Sequence, residues 1–279
     1  MSARRSLLFV PGTRPDRFDK AIASGADMVC VDLEDAVPPA GKDAARGAAM
    51  TWLTQADNGP ERVVRINSLK TRAGLADLGA VADAAPQQGL NILPKVDGPD
   101  EVRIADAILT EAGSPIGLMA LIESLDGLEN VQAIARSTPR LELLMFGAVD
   151  FVAELGSDLA SEPLLYARSR IVHAARRAGI GALDVPSLAI HDLDTLAAET
   201  RAAKSLGFSG KAVLHPANVE TVNAVFSPTL EETAKAREIV AAFEASTTGL
   251  VVIDGKLVEK PVIRKMEQLL AAAKAAGVA

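Results

Sequence analysis

Short runs rich in Val, Ile and Leu alternate with longer Ala-rich amphipathic stretches along most of this chain, and that alternation constrains its fold most tightly. An apolar run without polar alternation reads as a strand covered on both faces. Strands of that kind separated by helical stretches make repeated βα units around a parallel sheet. Eight such runs are present: Ser6–Val10, Met28–Asp32, Arg62–Ile66, Asn91–Leu93, Gly117–Ile122, Leu141–Phe146, Ala182–Val185 and Lys211–Leu214. Eight strands with intervening helices fit an α/β fold of the (β/α)8 TIM-barrel kind, and 279 residues suit one such barrel, which needs about 250. A doubly wound open sheet is the alternative. Its mark would be a glycine-rich first βα turn, but that turn reads Val10-Pro11-Gly12-Thr13-Arg14, without G-x-G-x-x-G.

Helix boundaries carry their own signals. Pro15-Asp16 opens the first helix, Asp192 precedes one that ends near Leu206, and Gly207 stands where a left-handed C-terminal residue is wanted. The barrel is expected over residues 1–226 and a C-terminal helical extension over 227–279, with a helix from Thr229 to about Ala245, a hairpin around Asp254-Gly255 and a last helix from about Pro261 to Ala276. The extension exceeds what a barrel needs. It reads either as a packing helix with a frayed end, or as a lid or an arm reaching a neighbouring subunit.

With 49% apolar residues the chain can bury a sizeable core, yet no segment reaches the roughly 20 uninterrupted apolar residues that span a bilayer. Arg4 and Arg5 precede only the short run Leu7–Val10, with no small-residue cleavage site, so a cytoplasmic protein is expected. A formal charge of −7 argues against a broad nucleic-acid footprint, which wants a basic face. The single cysteine, Cys30, excludes an internal disulfide and a Cys-based metal site, and its apolar surroundings mark a core thiol.

In a barrel the chemistry gathers at the C-terminal ends of the strands, so the polar residues that close each apolar run are the candidates. They are Asp32, Glu34 and Asp35 at the second run, Arg65 and Asn67 at the third, Lys95 and Asp97 after the fourth, Glu123 after the fifth, Asp150 beyond the sixth, Asp184 at the seventh and His215 after the eighth. Glu123 and Asp150 suit a hard divalent cation that takes oxygen ligands and keeps several waters, which favours Mg²⁺. Asp32, Glu34 and Asp35 serve either as acceptors around that ion's waters or as acids pairing with Lys or Arg. Arg65, on an otherwise apolar strand, is costly to bury unless paired. It either forks onto a carboxylate or cradles a developing enolate oxygen. Lys95 offers a rival chemistry, a Schiff base, provided its pKa is lowered. His173 falls within a helix and His191 just before one; capping or core roles suit all three histidines. No G-x-S-x-G is present, so serine-hydrolase chemistry is not expected.

The same residues carry a family resemblance. Arg5-Ser6-Leu7-Leu8-Phe9-Val10-Pro11-Gly12, Val31-Asp32-Leu33-Glu34-Asp35-Ala36-Val37, Arg65-Ile66-Asn67, Pro94-Lys95-Val96, Leu121-Ile122-Glu123-Ser124, Phe146-Gly147-Ala148-Val149-Asp150-Phe151, and Gly210-Lys211 with Leu214-His215-Pro216 follow one another along nearly the whole chain. In that order they resemble the citrate lyase β-subunit-like (CitE-like) proteins of the HpcH/HpaI aldolase superfamily, which includes malyl-CoA and citramalyl-CoA lyases.

The resemblance implies a TIM barrel assembled as a homotrimer or hexamer, with Mg²⁺ held by Glu123 and Asp150. It makes Arg65 the contact to the substrate carbonyl and Glu34 and Asp35 the acids that steady the metal's waters, and it sets Arg5 and Lys211 near the acyl-carrier entrance. It places Glu259, within Asp254-Gly255-Lys256-Leu257-Val258-Glu259, where relatives carry a lid aspartate acting as general acid or base. The activity implied is Mg²⁺-dependent cleavage of a 3-hydroxy-dicarboxylic acyl-CoA thioester into acetyl-CoA and a 2-oxo acid. Two alternatives stay open: a citrate lyase β subunit acting on a citryl-acyl-carrier protein, and a Mg²⁺-dependent acyl-CoA thioesterase. A non-catalytic assembly subunit would not require Arg65, Glu123 and Asp150 together.

Overall fold

The computed structural model describes residues 3–55, 59–246, 250–253 and 256–278. Eight strands, β1 (Ser6–Pro11), β2 (Met28–Asp32), β3 (Glu61–Arg65), β4 (Leu90–Leu93), β5 (Gly117–Ile122), β6 (Leu141–Phe146), β7 (Gly181–Asp184) and β8 (Gly210–Val213), follow one another around a closed barrel, every pair parallel. β8 pairs back with β1, Ser6 opposite Lys211 and Leu8 opposite Val213, so the sheet has no edge. The barrel expectation holds and the open-sheet alternative does not. β2, β5 and β6 have the bounds read from their apolar runs, while β3, β7 and β8 begin and end one residue earlier.

Side chains pointing inward from the strands fill the barrel. Leu7, Cys30, Val63, Ile92, Met119, Met145 and Leu183 belong to one buried cluster, with Phe9 packed against it. Their neighbours Leu8, Val29 and Val64 are equally buried and, by the alternation of a strand, face the helices. Burial pushes the Cys30 thiol well above its ordinary pKa, as suits a packing residue.

The connections obey local rules. Asp192 caps the helix Leu193–Leu206 by accepting the Thr195 N–H at 3.0 Å, and Gly207 ends it at φ +104°. Gly12 is required where the chain leaves β1: its N–H donates to the Asp32 carbonyl at 2.8 Å, and a Cβ there would sit 2.8 Å from the same oxygen. That close approach seats the start of the first loop on the end of β2.

The chain forms two compact units, Arg4–Val222 and a C-terminal part from Asn223 onward. In the second, Thr229 and Glu232 form a reciprocal capping box that opens the helix Leu230–Glu244. Strands Val251–Ile253 and Lys256–Val258 then pair antiparallel, and the helix Lys260–Ala275 follows. The turn at Asp254 and Gly255 lies outside the described residues. Among the described residues no helix is long and apolar enough to cross a membrane.

Candidate active site

The strands deliver their polar residues to one end of the barrel. Asp32 and Arg65 are the last residues of β2 and β3 and are register partners, so their side chains meet directly. Arg65 Nε donates to Asp32 Oδ1 and Nη2 to Oδ2, each at 2.7 Å, and Nη1 lies 3.0 Å from Glu34 Oε2 and 3.7 Å from Asp35. The guanidinium also sits 5.2 Å from the centre of the Phe9 ring. Burial alone would lower its pKa, but the hydrogen bonds and charges of Asp32 and Glu34 raise it beyond its ordinary value. It is a fixed cation.

Asp32 also organises the loop beyond β2, its two oxygens accepting the N–H groups of Glu34 at 2.9 Å and Ala36 at 3.2 Å. Lys42 fastens that loop from outside, donating to the carbonyls of Leu33 and Glu34 at 2.9 Å each and to Asn67 Oδ1 at 2.6 Å. Asn67 in turn donates to Leu33 and to Asp77, a wholly buried acid that also takes Arg46 at 2.6 Å. Glu34 is thereby buried against the cluster, with Asp35 more exposed beside it.

Lys95, beyond β4, adopts φ +53°, a left-handed conformation uncommon for a residue with a Cβ. There its backbone N–H donates to Glu123 Oε1 at 2.7 Å, while its ammonium lies 3.0 Å from Glu34, 3.6 Å from Asp35 and 3.9 Å from Asp150. Glu123 follows β5 directly. Gly147, after β6, packs on it so closely that a Cβ would stand 2.6 Å from Glu123 Cβ and 2.6 Å from its Oε2. Asp150 sits in the first turn of the helix Ala148–Leu155. The Schiff-base alternative for Lys95 loses its electrostatic premise. Burial would lower the ammonium's pKa, yet the hydrogen bond to Glu34 and the charges of Glu34, Asp35 and Asp150 raise it, the opposite of what an amine nucleophile needs.

Glu123 has its pKa pushed up to about 8, first by burial and then by the negative charges of Glu34 and Asp150, with the Lys95 N–H and Arg65 opposing only in part. Burial raises Glu34 as well, against the pull of Arg65. Buried carboxylates whose charges also crowd one another are an oxygen donor set that a hard cation would relieve. Among the described residues no group of three or more His, Cys, Asp or Glu makes an all-protein cage. Two carboxylates with open positions are how Mg²⁺ is ordinarily held, because it dehydrates reluctantly. The residues at this site fit that ion.

A cavity of about 520 Å³ opens over the cluster. Asp32, Asp35, Arg65, Glu123 and Asp150 lie along its polar side, and Phe9, Leu121, Met145, Val149 and Leu188 along its apolar side.

Two of the expected site residues, Arg5 and Lys211, lie apart from this cluster. Arg5 precedes β1, at the opposite end of the barrel, where it forks onto Asp27 at 2.8 Å. Lys211, 2% exposed, points away from the barrel interior and donates to Asp184 at 2.9 Å, an acid that Arg168 also forks at 3.0 and 3.1 Å. Arg168, Asp184, Glu199 and Lys211 border a second cavity of about 390 Å³, which shares Val149, Val185, Pro186 and Leu188 with the first. Glu259 belongs to the C-terminal unit, where it precedes the last helix without capping it. His215 does cap, its Nδ1 accepting the Ala217 N–H at 3.2 Å.

Sequence reasoning passed over Asp77, Lys42 and Gly147. For Asp77 a signal exists, an acid beside Leu78 on the buried side of the helix Arg72–Ala84. Gly147 has none beyond its place before Ala148 and Asp150.

Comparison with known proteins agrees with this fold. Residues 5–216 match the family model described as HpcH/HpaI aldolase/citrate lyase. The chain is 35% identical to the citrate lyase subunit beta of Leuconostoc mesenteroides, covering 98% of this chain and 94% of that protein. Two proteins of Cereibacter sphaeroides are similar: a (3S)-malyl-CoA thioesterase, 36% identical over 97% of this chain and 95% of its own, and an L-malyl-CoA/beta-methylmalyl-CoA lyase, 34% identical over 95% and 93%. The crystal structure of CitE from Mycobacterium tuberculosis in complex with magnesium, acetoacetate and coenzyme A superposes with a TM-score of 0.81 at 34% identity, covering 98% of both chains.

Proposed function

The chain belongs to the HpcH/HpaI aldolase/citrate lyase family, and from that premise we propose that it is a Mg²⁺-dependent carbon–carbon lyase. Its substrate in this reading is a 3-hydroxy-dicarboxylic acyl-CoA thioester of the malyl-CoA or citramalyl-CoA kind, cleaved to acetyl-CoA and a 2-oxo acid. The observation that carries the reading is the convergence of Glu123 and Asp150 with a buried, permanently charged Arg65 on one cavity.

Glu123 and Asp150 would hold Mg²⁺, which would supply Lewis acidity toward the substrate's hydroxyl and carboxylate. Once a base takes the hydroxyl proton, the oxygen's electron pair forms the carbonyl of the departing oxo acid, and the C2–C3 bond breaks with its pair passing to the thioester as an enolate. Arg65, immobilised by Asp32 and Glu34, presents its positive charge where the enolate oxygen develops, and needs no reorganisation at that moment. Glu34 and Asp35 keep Arg65 and Lys95 in register and order the hydrated side of the site. Glu259 is assigned the proton that returns to the enolate carbon. Arg5, paired with Asp27, and Lys211, paired with the buried Asp184, brace the barrel.

A second reading has a specific observation behind it, the 36% identity to a malyl-CoA thioesterase. The same site would then direct water at the acyl carbonyl and release free CoA. Turnover of malyl-CoA, citramalyl-CoA, β-methylmalyl-CoA and citryl-CoA, with Mg²⁺ and with EDTA, separates the two. Metal-dependent release of acetyl- or propionyl-CoA together with an oxo acid is the expected result. Free CoA alone makes the protein a hydrolase, turnover that survives EDTA removes the metal from the reading, and silence across the panel points to a carrier-protein thioester.

A further inference from the structure

Lys95 belongs to none of the roles assigned so far, yet it is tied to more of the site than any other cation except Arg65. Its ammonium faces carboxylates supplied by two separate elements, Glu34 and Asp35 from the loop after β2 and Asp150 from the helix after β6. Its backbone N–H holds a fourth, Glu123. The conformation that allows both contacts at once is the left-handed one at φ +53°, which a residue with a Cβ adopts only when its surroundings hold it there. Two interactions do so: the Lys95 carbonyl accepts from Lys70 Nζ at 2.8 Å, and Glu123 takes the N–H on the other side. Glycine would adopt this turn at no steric cost. The side chain is therefore what lysine adds.

We propose that the Lys95 ammonium is the built-in counter-ion of the metal site: it positions Glu34, Asp35 and Asp150 before the cation arrives and competes with the cation for Asp150. The inference rests on the reading of Glu123 and Asp150 as the metal-binding pair. Five acids, Asp32, Glu34, Asp35, Glu123 and Asp150, gather here against two cations, Arg65 and Lys95. Arg65 is forked onto Asp32 and cannot leave without breaking that pair. Lys95 is on a flexible stem, its side chain 39% exposed, and can turn toward solvent. The acids therefore stay folded inward in the metal-free protein at the cost of a lower affinity for the metal.

The test is calorimetric titration of the metal-free, full-length protein with MgCl2, for the wild type and for Lys95→Gly, Lys95→Met and Lys95→Arg. Lys95→Gly keeps the left-handed turn and the N–H to Glu123 while deleting the ammonium, so it decides the matter if Lys95→Met does not fold. Removing one like charge this close to a ligand is expected to tighten Mg²⁺ binding about tenfold or more in Lys95→Gly and Lys95→Met, with Lys95→Arg close to the wild type. A role confined to the backbone would leave Lys95→Gly unchanged. Wild-type binding that Lys95→Gly matches or weakens overturns the proposal and leaves the metal reading standing. No titration in any of the four proteins overturns both.

Discussion

Arg65 and Asp32 face each other across the last register pair of β2 and β3, joined by two N–H···O bonds of 2.7 Å each. A lysine at position 65 would keep the charge but lose the fork, and with it the fixed direction in which the cation points. Arg65→Lys is expected to lower kcat/KM by about 100-fold or more, the size of effect seen when one preorganised donor to a developing oxyanion is lost. Asp32→Asn strikes the other partner. It leaves Arg65 without its nearest acid in a buried setting and should cost about 3–5 kcal/mol, read as a lower melting temperature. Steady-state kinetics and thermal unfolding check the two; a fully active Arg65→Lys would remove the fork from the mechanism.

Gly147 gives a test that leaves every charged residue in place. A Cβ there would stand 2.6 Å from Glu123 Cβ and Oε2, so Gly147→Ala must displace the Glu123 side chain from its present position. Mg²⁺ affinity is expected to fall about 10- to 100-fold, as when a partner that orients a metal ligand is lost. Calorimetry measures it. Unchanged affinity in the alanine variant would mean that Glu123 does not hold the metal where it now stands.

The barrel was legible because its strands are buried on both faces, which leaves runs such as Met28–Val31 and Gly117–Ile122 uninterrupted and bounded by helix signals. That same burial hid the facing of single residues. Strand residues alternate sides, and with apolar residues on both, nothing in Gly210-Lys211-Ala212-Val213 shows that Ala212 points into the barrel and Lys211 out toward Asp184. The acids after β2 were legible as a group. Which of three acids in four residues would take Arg65 depends on register, and register belongs to the pairing of β2 with β3, not to either strand alone. The left-handed turn at Lys95 left no trace, because neither glycine nor asparagine marks it.

Glu123 should make the stability of the metal-free protein depend on pH. Its folded pKa of about 8 lies above the ordinary value of 4.5, so the stability it contributes is complete below about pH 4.5 and is lost as pH rises through about 8. The melting temperature of the metal-free protein is expected to fall over that window, by an amount on the order of a few kcal/mol in unfolding free energy. Mg²⁺ displaces the proton, so its affinity should rise with pH and its binding should release a proton, visible as a buffer-dependent binding enthalpy. Glu123→Gln should flatten the slope, and an identical slope in that variant would assign it to another group.

Lys211 separates a brace from a substrate contact. Its ammonium and the Arg168 guanidinium share Asp184, so Asp184→Asn strands two buried cations and should cost about 3–5 kcal/mol in thermal unfolding. Lys211→Met, which leaves Asp184 paired with Arg168, should unfold at a temperature closer to the wild type and keep its KM for the thioester. A severalfold higher KM in a folded Lys211→Met would instead bring the substrate into the second cavity, on whose wall Lys211 lies.

Glu259 completes the proposed chemistry, because the enolate left after bond cleavage must gain a proton at carbon before acetyl-CoA can leave. Its residue is exposed and its side chain makes no capping hydrogen bond to the helix it precedes. Glu259→Gln keeps the size and polarity of the group and removes only the titrating proton. If Glu259 acts after the C2–C3 bond has broken, kcat should fall at least about tenfold, the lower range for one general acid, while Mg²⁺ affinity stays at the wild-type value. Exchange of the acetyl-CoA methyl protons with deuterated solvent, which requires the same acid–base group but no bond cleavage, should slow in parallel. A variant that loses metal binding along with turnover would move Glu259 from proton transfer to the assembly of the site, and one with unaltered kcat would return the protonation step to a group within the barrel.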